Sequence, residues 1–283
     1  MMIRLIVPIL VLVMSLSINA QIETPAPSPS QKIMQKVGLT DITLEYSRPS
    51  MKGRTIFGNL AEYGKMWRTG ANANTKLTFS TDFTIAKNTL EKGSYALYTV
   101  PGEKTWEIIL YADATNWGTP GKWDETKVAA RVLVPAQKLP MNIETLTIGF
   151  DNLTNSTAIL GIMWENTYVG LEFETPTDKM VSKSIVKIMN GPSANDMFGA
   201  AVYYLQTNKD MATAQVWIDK AVEMTASAPK FWYLRQQSLI HAKAGKTKTA
   251  ISAAKASLKY AKIANNGDYI KMNTDSLKEW GAL

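Results

Sequence analysis

Seven residues in the first half of the chain carry side chains suited to holding a ligand: Arg48, Arg54, Trp67, Arg68, Asn72, Trp117 and Trp123. An indole face stacks on a sugar ring, a guanidinium grips a carboxylate through paired hydrogen bonds, and a carboxamide both donates and accepts. Trp67, Arg68 and Asn72 crowd into MWRTGANANT, Arg48 and Arg54 lie within SRPSMKGRTIFG, and Trp117 and Trp123 belong to NWGTPGKWDE. Aromatic and arginine side chains on such loops suit a glycan or a small anionic ligand. A structural use competes with that one. Trp67 would plug one end of the fold, Arg68 would pair with a buried carboxylate, and Gly70 and Asn72 would take turn geometries costly for branched residues.

Catalysis has less to work with. The chain has no cysteine and one histidine, His241. Ser-His-Asp and Cys-His chemistry is excluded unless His241 itself serves, as are thiolate and multi-histidine metal sites. We therefore assign no catalytic residue, no metal site and no cofactor. The remaining enzymatic alternative is a carbohydrate-active hydrolase with two carboxylates about 5–9.5 Å apart. Glu62, Asp124, Glu125 and Glu165 are the acids nearest the motifs. Asp124 and Glu125 are adjacent, so on a strand they would face opposite ways. A purely structural envelope component is a third reading. GKTKT at 245–249 lacks the leading glycine and preceding strand of a phosphate loop and reads as a turn, and His241 reads as a packing residue.

The elements that position these residues begin with MMIRLIVPILVLVMSLSINA. Arg4, an apolar run and a small residue at Ala20 make residues 1–20 a secretory signal peptide cut before Gln21. The apolar run is short for a membrane-spanning helix, which needs about 20 residues. The expected product is exported, periplasmic or extracellular, with no transmembrane segment after cleavage. Residues 21–34 start with QIETPAPSPSQ and read as a flexible proline- and serine-rich linker.

Residues 35–177 alternate with period two. In TKLTFSTDFTIA, Leu77, Phe79, Phe83 and Ile85 fall on one parity, with polar residues between. Similar runs recur at 42–46, 95–100, 106–112, 128–135, 143–150, 158–164 and 169–173, predicting an antiparallel β-sandwich or jelly roll. Residues 178–283 change to helical period. Ala214, Ile218, Ala221 and Val222 match Ala250, Ala254, Ser257 and Leu258 at a spacing of 36 residues. That predicts a tetratricopeptide-like pair of α-helical hairpins with a capping helix. The expected fold class is thus α+β and multidomain.

Charge follows the same division. Residues 21–178 hold 15 Lys+Arg and 17 Asp+Glu, whereas residues 179–283 hold 15 and 7. The basic helical part could meet a protein partner or an acidic surface. Dispersed lysines without an arginine cluster argue against nucleic acid.

With these motifs in place, VGLTDITLEYSRPSMKGRTIFG, YGKMWRTGANANTKLTF and KGSYALYTVPGEKTWEIIL, followed by NWG and MWEN, resemble the family labelled domain of unknown function 2911. The resemblance covers about residues 35–175. It implies an exported protein of Bacteroidetes-type bacteria and no assigned activity. Members of that family often carry an acidic residue directly after GAN, where this chain has Ala73.

Overall fold

The structure, a computed structural model, describes residues 24–189 and 191–283. The expected signal peptide lies outside the described residues. Alternating sequence becomes nine strands: β1 (Ser30–Val37), β2 (Thr40–Ser47), β3 (Thr75–Phe79), β4 (Phe83–Ile85), β5 (Asn88–Leu90), β6 (Gly93–Val100), β7 (Thr105–Tyr111), β8 (Val128–Asp151) and β9 (Thr157–Glu174). All pairings are antiparallel, in the order β1-β2-β3-β6-β7-β8-β9-β4-β5.

Two details differ from the sequence reading. Pairing already begins at Ser30, so the lead-in ends before residue 34. The four runs expected between 128 and 173 are two long strands. β8 pairs with β7 up to Pro135 and with β9 from Ala136 onward, so one strand serves both layers. Register shifts around Lys138, Ile143 and Thr147 mark bulges where separate strands were expected.

The two layers enclose one core. Ile42, Leu44, Leu77 and Leu97 from one side meet Ile148, Leu160, Ile162 and Trp164 from the other, all nearly inaccessible to solvent. At about 1.5–3 kcal/mol per fully buried large apolar side chain, this core is the main source of sheet stability. β6 is buried on both faces, as its sequence YALYTV requires. Its second face, carrying Ala96 and Tyr98, joins Ile109 and Tyr111 of β7 in a small outer cluster. The covering layer comes from residues 112–127, through Ala114 and Trp123.

The helices follow: α1 (Thr177–Ile188), α2 (Ala194–Gln206), α3 (Met211–Met224), α4 (Phe231–Lys243), α5 (Thr247–Ile263) and α6 (Gly267–Glu279). From α2 onward each packs on its chain neighbour. The matched positions Ala214, Ile218 and Ala221 of α3, and Ala250, Ala254 and Ser257 of α5, are all 0% exposed. His241 is buried, with Nε2 2.8 Å from Asp219 Oδ1. Among the described residues no helix is long and apolar enough to cross a membrane. Sheet and helices meet at Gly38, in the tight turn between β1 and β2. Its φ is +56°, and a Cβ there would lie 1.9 Å from Thr177 Oγ1, so both backbone and space demand glycine.

Candidate functional site

The crowded segment 63–75 serves the interior before it serves any surface. Trp67 bridges Thr99 of β6 through both backbone groups, at 2.7 and 2.9 Å. Its indole stacks on Trp164 at 5.7 Å and meets Trp106 and Phe57 edge-on at 6.3 and 6.2 Å. Phe57, Trp67, Trp106 and Trp164 come from four separate motifs and close the end of the sandwich as one aromatic knot. The Trp67 indole N–H donates to Gly70 O at 3.2 Å. Thr69 holds φ at +56°, a costly conformation for a β-branched residue. Hydrogen bonds tie it in place, the hydroxyl to Thr99 and the carbonyl to Thr75.

Arg48 and Arg54 are likewise committed. Arg48 donates to Leu146 O and Thr147 Oγ1 at 2.9 and 2.8 Å, and Arg54 to Met51 O and Ser50 O at 2.9 and 2.7 Å. Both staple loops to carbonyls. The four acids are committed too. Glu62 pairs with Lys65, Asp124 caps the 3-10 turn Glu125–Lys127, Glu125 binds Arg131, and Glu165 accepts the Ile56 and Phe57 amides. Among the described residues no three His, Cys, Asp or Glu side chains converge as metal ligands.

Residues 112–127 lie over the outer face of β6 and β7 and create a cleft on each side. Three contacts fix this layer. Trp123 stacks on Tyr111 at 4.4 Å, the Tyr98 hydroxyl donates to Gly118 O at 3.0 Å, and the Lys127 ammonium binds Asp113 at 2.9 Å. Burial pushes the Tyr98 phenol up to about 12, which keeps it a donor. Hydrogen bonds from Lys127 and then Thr115 hold the Asp113 carboxyl down to about 2.

The first cleft, of about 320 Å³, runs between this layer and the outer faces of β1–β3. Trp117, 78% exposed, forms part of its wall, and Ser30, Lys32, Glu45, Ser47 and Lys76 lie along the strands. Asn74 also lines it. That residue is 6% exposed, and its amide nitrogen has no hydrogen-bond partner. Arg68 lies just behind. A Cβ on Gly118 would come 3.4 Å from its Nη1, and its buried Nε is also unpartnered. Asn72, exposed and at φ +57°, donates to Ser47 Oγ at 3.2 Å on the cleft's border.

The second cleft, of about 650 Å³, holds Trp123, Asp113, Glu125 and Lys127. Its Lys127 is matched within the protein, whereas Lys122, also in the lining, pairs with no carboxylate among the described residues. Arg131 joins Glu107 and Glu125 at 2.8 and 2.9 Å, and the Trp123 N–H donates to Glu125 at 2.9 Å.

Of the seven expected residues, Trp117, Arg68 and Asn72 therefore gather at or beside the first cleft, and Trp123 lies at the second. Trp67, Arg48 and Arg54 belong to the scaffold. Asn74, Lys32 and Lys76 were missed. The signal for the two lysines is strand parity: Lys32, Glu45 and Lys76 occupy the outward parity of three neighbouring strands. No curated protein and no solved structure matches the chain. The match to residues 28–173 takes in all nine strands and both clefts, and by it the chain belongs to the family described as Protein of unknown function (DUF2911).

Proposed function

We propose that the sheet is a non-catalytic binding module of the bacterial envelope, and that its ligand, a glycan or a small anionic molecule, sits in the cleft beside Trp117. The observation that carries this reading is the pairing of a 78% exposed indole with an unpartnered, nearly buried Asn74 amide in one cleft. A bare indole is a stacking platform, and an unsatisfied buried donor costs about 1–3 kcal/mol that a ligand oxygen can recover. The commitments of Glu62, Asp124, Glu125 and Glu165 weigh against hydrolysis by a carboxylate pair.

The helices are proposed to form a tetratricopeptide-like module that takes a protein partner. Support comes from the 36-residue spacing of α3 and α5, whose matched small positions are fully buried, and from the excess of lysine. Export to the periplasm or the exterior rests on the apolar segment at the start of the sequence, and a Bacteroidetes-type host on the family resemblance alone. Calorimetric titration of the full chain against envelope and dietary polysaccharides tests the ligand reading. Binding that Trp117→Ala abolishes is expected, whereas binding unaffected by that change would place the ligand elsewhere.

A further inference from the structure

We infer that the cleft beside Trp117 takes a saccharide whose ring carries an anionic substituent, a carboxylate or a sulfate. This rests on the binding reading above and narrows it by the balance of donors and acceptors.

The outward faces of β1 and β2 contribute two cross-strand rows to the cleft. Ser30 stands opposite Ser47, and Lys32 stands opposite Glu45, which in turn stands opposite Lys76 on β3. The single carboxylate of the charged row is taken by Lys76 at 3.1 Å. Among the described residues no carboxylate pairs with Lys32, so the row carries one positive charge in excess. Behind the wall, the Arg68 guanidinium adds a second cation close to Gly118. The unpartnered nitrogen within the lining, Asn74 Nδ2, is a donor, and so is the unpartnered Arg68 Nε buried behind it.

A sugar hydroxyl both donates and accepts, whereas an ionised carboxylate or sulfate only accepts. A site whose unpaired groups are donors and cations is therefore better matched by an anion than by a further hydroxyl. The exposed indole of Trp117 supplies the complementary apolar surface for a ring face. A cleft of about 320 Å³ falls within the usual range for small-ligand sites, roughly 300–1,000 Å³. The neighbouring cleft provides an internal contrast. There three carboxylates, Asp113, Asp124 and Glu125, stand against two lysines, Lys122 and Lys127, so the lining is net negative rather than net positive.

The test is calorimetry of the full chain with trigalacturonate, a hyaluronan tetrasaccharide, sialyllactose and a chondroitin sulfate tetrasaccharide. Each carboxylated sugar is paired with its carboxyl-reduced neutral counterpart, and the chondroitin sulfate with its carboxyl-reduced form, its desulfated form and the neutral form lacking both anions. At least one acidic sugar is expected to bind tenfold or more tightly than its neutral partner, with affinity falling as salt is raised. The carboxylated and sulfated arms identify the anion. Lys32→Gln, on an exposed strand position that leaves the core untouched, should weaken that binding by about threefold to fivefold. Asn74→Leu should weaken it by about tenfold or more. Equal binding of acidic and neutral partners would overturn the anionic assignment and leave glycan binding standing. Acidic binding indifferent to Lys32→Gln and Trp117→Ala would remove the ligand from this cleft. Silence from all four acidic sugars overturns the inference. If neutral polysaccharides are silent as well, the binding reading goes with it.

Discussion

The two clefts flanking residues 112–127 are built from similar residues, each with a tryptophan, a lysine and a carboxylate, yet they end in opposite states. Around Trp123 the indole is stacked on Tyr111 and tied to Glu125, and Lys127 and Arg131 have carboxylate partners, while Lys122 has none among the described residues. Around Trp117 the indole is bare, Lys32 has no described acidic partner, and the Asn74 amide is unsatisfied. Residue types alone do not distinguish a fastener from a receptor. What separates them is whether the protein has already satisfied its own polar groups.

The largest expected effect breaks the fastened side. Trp123→Ala removes the stack on Tyr111 and the edge contact with Tyr98, and should destabilise the protein by about 2–3 kcal/mol in urea unfolding. An unchanged unfolding midpoint would mean that residues 112–127 are held by other contacts. Next comes Asn74→Leu, which replaces an unsatisfied buried amide with an apolar group. It should leave stability unchanged or raise it by about 1 kcal/mol while weakening ligand binding, a combination characteristic of functional sites. A loss of several kcal/mol would show that the amide is satisfied in solution.

Smaller effects follow pH. Asp113 has its carboxyl lowered to about 2 in the folded protein, so its contribution is present above the ordinary carboxylate value and fades as pH falls toward 2. Tyr98 is raised to about 12, so its contribution is full below about pH 10, the ordinary phenol value, and fades as pH rises through 12. Limited proteolysis within residues 112–127 should therefore accelerate at both extremes before the sheet unfolds. Uniform cleavage rates across that range would contradict the assigned contacts. Smallest of all, Trp117→Ala should change stability by no more than about 0.5 kcal/mol, because the side chain is mostly solvated. A larger loss would move Trp117 into the fastened class.

Much of the architecture was legible. Parity at Leu77, Phe79, Phe83 and Ile85 correctly put one face inward, and the double-sided apolarity of YALYTV correctly implied burial on both faces. The length of β8 was not, because alternation lapses between the runs 128–135 and 143–150. A bulge interrupts pairing while the chain stays extended, so the strand continues across that gap. The site was legible only in outline. Trp67, Arg48 and Arg54 have suitable chemistry, but composition gives no direction, and their partners are rings and carbonyls brought from distant motifs. Asn74 escaped notice because a polar residue at a strand start is ordinary. Its lack of a partner is a property of the fold.

The most direct measurement labels the eight tryptophans with 5-fluorotryptophan and follows their fluorine resonances in the full chain. Trp117 should show the strongest H2O-to-D2O shift and should be the resonance that moves most when an acidic oligosaccharide is added, while Trp67, Trp106 and Trp164 stay fixed. A Trp117 signal protected from solvent, or ligand-induced shifts centred on Trp67 and Trp164, would contradict the account.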